Sequence, residues 1–86
     1  MNGRLMYDYR ILTTRILEKC GSFAEFARRM KISERNLHRK ISNQISFTAK
    51  DVENAVTVLG LNRSEISDIF FTLISPKNAD FFLGET

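Results

Sequence analysis

Phe26-Ala27-Arg28-Arg29-Met30-Lys31-Ile32-Ser33-Glu34-Arg35-Asn36-Leu37-His38-Arg39-Lys40-Ile41 is the stretch that decides the fold. Phe26, Ala27 and Met30 recur at helical spacing, as do Leu37 and Ile41, which gives two short amphipathic helices in succession. Only Met30-Lys31-Ile32-Ser33 joins them. A link that short forbids antiparallel packing, so the two helices cross steeply, as in a helix-turn-helix. Ser33 starts the second helix, its hydroxyl placed to accept from the Asn36 amide and Ile32 placed to meet Leu37 across the first turn. With Leu37 and Ile41 inward, Glu34, Arg35, His38 and Arg39 face out.

Upstream, Tyr9, Leu12, Ile16 and Cys20 form one apolar stripe on a helix that Gly21 stops, and Cys20 reads as a structural thiol of that stripe. Ser22 with Glu25 three residues on predicts a capping box for the helix that buries Phe26. Downstream, Thr48 with Asp51 repeats the device, Phe47 stapling to Val52, and opens a helix over Val52, Ala55, Val56 and Leu59 that Gly60 ends. Asn62 with Glu65 opens a fifth, with Leu61 against Ile66 and with Ile69, Phe70 and Leu73 on its inner side. The stretch 71–74 is open between helix and strand, since Phe, Thr and Ile favour extended backbone. The expectation is an all-α, five-helix domain over residues 1–75, followed by a C-terminal tail, 76–86.

Eighty-six residues make one domain with a small core. Cys20 is the only cysteine and His38 the only histidine, so neither a disulfide framework nor a zinc site is expected, and no cofactor. A core this small leaves no room for a shaped catalytic pocket, and the chain is not read as an enzyme. Arg4, Asp8, Arg10 and Arg15 interrupt any signal sequence, and no apolar run reaches membrane-spanning length; a cytoplasmic protein with no membrane partner is expected. The net charge is +3 with a pI near 9.4. Its distribution is more informative. From Arg28 to Lys50 the basic residues Arg28, Arg29, Lys31, Arg35, Arg39, Lys40 and Lys50 face Glu34 alone. From Asp51 onward Arg63 and Lys77 face six acids. The positive field therefore falls on the outer surface of the helix-turn-helix, where a duplex would meet it.

The quoted stretch, with Ser42-Asn43-Gln44, Phe47-Thr48 and Val58-Leu59-Gly60-Leu61 after it, resembles the lambda-repressor and Cro class, especially small phage-encoded regulators of Gram-positive hosts. The resemblance runs from about Asp8 to Phe70. It implies a sequence-specific transcriptional regulator that binds a double-stranded DNA operator, with helix 34–42 in the major groove. Carried over residue by residue, it makes Glu34, Arg35 and Arg39 base readers, with Asn36 and His38 beside them. Ser22, Arg28, Lys31, Lys40, Ser42 and Asn43 would hold phosphates. Three positions depart from the family's pattern. Phe23 replaces a phosphate-touching glutamine, Lys31 the turn glycine, and Asn43 the glycine after the reading helix. One reading helix covers few base pairs, so a homodimer on inverted half-sites is expected, with Phe81, Phe82 and Leu83 at its interface. The alternative is an antirepressor or modulator that binds another regulator protein through the same fold, gripping it with exposed apolar residues such as Phe23, Phe81 and Phe82.

Overall fold

The computed structural model describes residues 6–74. Among these, β1 (Met6–Tyr7) leads into α1 (Arg10–Cys20), α2 (Phe23–Met30), α3 (Glu34–Ile41) and α4 (Ala49–Leu59). A 3-10 turn (Arg63–Glu65) then runs into α5 (Ile66–Phe70), and β2 (Leu73–Ile74) follows. The boundary expected at residues 75 and 76, and with it Phe81, Phe82 and Leu83, lies outside the described residues.

The helix starts follow local hydrogen bonding. Ser22 Oγ accepts from the Glu25 amide at 3.1 Å and Ser33 Oγ from the Asn36 amide at 3.0 Å. Thr48 and Asp51 form the full reciprocal box, with bonds of 3.0 and 2.9 Å. Only half of the box expected at Ser22 forms, because the Glu25 carboxylate is taken by Arg28 and Arg29, one turn further along the helix. Gly21, Lys31 and Gly60 close α1, α2 and α4 in the left-handed conformation, with φ of 84°, 62° and 64°.

Lys31 therefore takes the backbone of a turn glycine. The Ile32 amide reaches back to the Ala27 carbonyl at 3.0 Å and the Lys31 amide to Arg28 at 3.1 Å, which satisfies the orphaned end of α2. Left-handed backbone costs a side chain of this kind about 1–2 kcal/mol, and glycine returns part of that as unfolded-state entropy. Lys31→Gly should therefore stabilise the domain by roughly 0.5–1 kcal/mol in urea unfolding. A loss of stability would show that the lysine side chain supports the turn.

The core joins Leu12 and Ile16 of α1, Phe26, Ala27 and Met30 of α2, Leu37 of α3, Ala55 and Leu59 of α4, and Ile69 and Phe70 of α5, with Tyr9 and Leu61 closing it. The stripe read from the sequence is thus the buried one, and Cys20 packs half-buried against it. Two readings of the last third change. Asn62 opens a 3-10 turn before the α-helix proper, and Leu73, at 50% exposure, leaves the inner side to join a strand. β2 pairs antiparallel with β1, Met6 opposite Ile74 and Tyr7 opposite Leu73, and the Asp8 amide bonds the Thr72 carbonyl at 2.7 Å.

Candidate functional site

The outer face of α3 is the surface to which the sequence assigned most of the function. Leu37 is fully buried and Ile41 half-buried, and this rotation leaves Glu34, Arg35, Asn36 and His38 exposed and Arg39 half-buried. His38 Nε2 lies 3.5 Å from the Glu34 carboxylate, one turn apart, and its ring meets that of Phe23 at 5.5 Å, edge-on. Phe23 thus fills the start of α2 with an aromatic ring that supports the α3 face. Arg35 and Arg39, with His38, Ile41, Ser42 and Gln44, line an open cleft of about 570 Å³.

Most of the residues expected to hold phosphate already have partners within the chain. The Lys40 ammonium reaches Asp51 at 2.8 Å and the Ser46 carbonyl at 3.2 Å, and lies 5.9 Å from the centre of the Phe47 ring. Both side chains of the Lys40–Asp51 pair are largely covered, at 11% and 14% exposure. Burial alone would raise the Asp51 carboxyl, but the Lys40 ammonium and the Thr48 amide outweigh it and hold the group below its usual range. Arg28 and Arg29 both grip Glu25, and these guanidinium hydrogen bonds take its carboxyl down to about 2. Ser22 caps α2, and Ser42 Oγ donates to the Arg39 carbonyl. Lys31 stays exposed in the turn.

Asn43 adopts φ 68°, as its place after the helix requires, and its side-chain amide spans the outer edge of β1. Its Oδ1 accepts from the Tyr7 amide at 2.8 Å and its Nδ2 donates to the Tyr7 carbonyl at 3.0 Å. Asn43→Gly keeps the backbone but removes both bonds. It should cost about 1 kcal/mol and speed hydrogen exchange at the Tyr7 amide specifically. Uniform protection along 6–74 would show that the amide does not hold the ribbon.

A second feature escaped the sequence. Tyr7, Tyr9, Phe47, Phe70 and Phe71 form a closed ring of aromatic contacts, with centroids 5.1–6.4 Å apart. They line a cleft of about 160 Å³ with Ile45 at its rim. Phe71 is 52% exposed, and Met6, Ile45, Leu73 and Ile74 are also exposed apolar residues at this ribbon end. Tyr9, Phe47 and Phe70 were each legible as core or staple. That they meet Tyr7 and Phe71 depends on the β1–β2 pairing, for which no local signal exists.

Among the described residues no cluster of histidine, cysteine, aspartate and glutamate could hold a metal ion, and no helix is long and apolar enough to cross a membrane.

Residues 5–73 match the family described as "Protein of unknown function (DUF739)". Among solved structures, the chain is similar to the solution structure of the modulator of repression (MOR) of the temperate bacteriophage TP901-1 from Lactococcus lactis. The two are 38% identical with a TM-score of 0.68, over 76% of this chain and 88% of that one. No curated protein matches the chain. The likeness bears out the all-α, five-helix fold of the lambda-repressor and Cro class. It overturns the expected role. The similar protein is a modulator of repression and not a Cro-like repressor, which corrects the reading of this chain as a sequence-specific DNA-binding regulator with a double-stranded operator as its partner. The homodimer inferred from inverted half-sites loses that ground with the operator.

Proposed function

The chain belongs to the family designated DUF739, and from that premise we propose that it is a modulator of repression, a binding protein without catalytic function whose partner is another regulator protein. The observation that carries this reading is the 38% identity to a phage modulator of repression across 88% of that chain, with a TM-score of 0.68.

The electrostatics support it. A duplex binder gains affinity by neutralising many phosphates at once, and six to ten contacts are typical of a strong salt-dependent site. Of the six residues first assigned to that task, Arg28 and Lys40 are ion-paired, Asn43 is bound to Tyr7, and the hydroxyls of Ser22 and Ser42 serve the backbone. Apolar side chains exposed at the ribbon end have no use on DNA and are what a protein surface covers.

Two measurements test the reading. Selection from a randomised duplex pool should enrich no sequence, and residual duplex binding should show little dependence on salt. In a promoter reporter for the repression system of phage TP901-1, supplying this chain in place of the phage modulator should shift the output. A specific duplex recovered with a steep salt slope, or a reporter that does not move, overturns the proposal.

A further inference from the structure

The basic residues of the described chain divide into two groups. Arg10, Arg15, Arg28, Arg29 and Lys40 each pair with a carboxylate: Asp8, Glu65, Glu25 for both Arg28 and Arg29, and Asp51. Lys19, Lys31, Arg35, Arg39, Lys50 and Arg63 make no ion pair within the described residues, and of these only Arg35 and Arg39 lie one turn apart on a single helix, α3. Arg39 is half-buried all the same, so part of its hydration is lost without a counter-charge to replace it. Both line the cleft whose remaining walls are His38, Ser42 and Gln44 and whose apolar wall is Ile41.

Resting on the reading of the chain as a protein-binding modulator, we propose that the Arg35–Arg39 cleft receives paired carboxylates on the surface of the partner protein. A guanidinium offers two parallel donors at the spacing of a carboxylate's oxygens, so two arginines one turn apart hold two acids in a fixed relation. The Gln44 amide and the Ser42 hydroxyl add neutral donors, and Ile41 gives an apolar surface for the stem of an aspartate or glutamate. A nucleic acid fits the same cleft poorly. Lys40 and Arg28, two of the cations that would extend a phosphate track beyond the cleft, are already paired with Asp51 and Glu25.

The test is a titration of the isotope-labelled full chain with a glutamate-rich peptide at low salt, followed by its amide spectrum, with a random-sequence duplex as competitor. Shifts should centre on Arg35, His38, Arg39, Ser42 and Gln44. Arg35→Ala and Arg39→Ala should each weaken binding about tenfold at unchanged melting temperature, since neither side chain has an internal partner. Arg35→Lys and Arg39→Lys should fall between, because they keep the charge and lose the fork. Lys50→Ala and Arg63→Ala should leave affinity unchanged. If these two cost as much as the arginine variants, the peptide reads net charge alone and the proposal fails. It fails equally if the duplex displaces the peptide from the same amides and binds more tightly.

The TP901-1 reporter separates this inference from the functional reading beneath it. A reporter that responds equally to the wild type and to both alanine variants removes the acidic contact and leaves the modulator standing. A reporter blind to the wild type, with arginine-dependent peptide binding intact, removes the modulator and leaves the acidic site.

Discussion

Phe70→Ala is expected to destabilise the domain by about 3–5 kcal/mol, the range for removing a buried aromatic ring. Phe70 is 1% exposed and lies at the end of α5, where its ring meets Phe47 edge-on at 5.5 Å and Phe71 at 6.4 Å. It therefore joins α5 both to the loop before α4 and to the ribbon end. A domain of this size has a total stability of roughly 4–13 kcal/mol, so the loss is a large part of the whole. The melting temperature should fall by more than about 10 °C. Phe70→Leu, which keeps most of the volume, should cost about 1.5 kcal/mol or less. Should Phe70→Ala melt within two or three degrees of the wild type, roughly the effect of a surface change, α5 does not pack as described.

Lys40→Ala is expected to cost about 2 kcal/mol, because it strands the Asp51 carboxylate behind α3 and removes the lysine stem from the Phe47 ring. The value lies below the 3–5 kcal/mol of fully buried pairs, since both groups keep some water and Asp51 retains the Thr48 amide. The pH dependence has a definite sign. The Asp51 carboxyl titrates lower in the folded chain than its ordinary 3.8, so its contribution is complete above that value and is lost as pH falls through the lower folded value. The stability gap between wild type and Asp51→Asn should thus be full at pH 6 and begin to narrow only once pH falls below the ordinary 3.8 toward the lower folded value. Asp8, Glu25 and Glu65 are also held low by arginines, so wild type and variant lose stability together in acid, and only the gap reports Asp51. A gap that does not narrow at any acid pH at which the domain stays folded would mean that the Asp51 charge, and with it the ion pair, contributes nothing.

The same lysine shows why the site was only partly legible. Its position on α3 could be read from the alternation around Leu37 and Ile41, and its charge suited a phosphate. Asp51 is eleven residues away and itself carries a strong local signal, as the third residue of the Thr48 box. Nothing in the sequence states that its second oxygen-bonding partner is Lys40, because that depends on the angle at which α4 returns past α3.

By itself the sequence determined the first four helices, their ends and their buried faces. A cap is a bond between a side chain and an amide three residues on, a left-handed stop is a property of one residue and its neighbours, and a stripe at helical spacing has one inward side. Ser22, Ser33, Thr48, Gly21, Lys31, Asn43 and Gly60 all acted within such short reach, and so did the outward rotation of Arg35 and Arg39. Tertiary structure alone decided the pairing of Met6–Tyr7 with Leu73–Ile74, the clasp of Asn43 on Tyr7, the closure of the aromatic ring by Tyr7 and Phe71, and the ion pairs of Lys40 with Asp51 and Arg15 with Glu65. These contacts join segments 11 to 68 residues apart. Their energies depend on how the helices cross, a quantity that no window of sequence contains, and so a helix-turn-helix stripe identifies the scaffold without identifying what binds it.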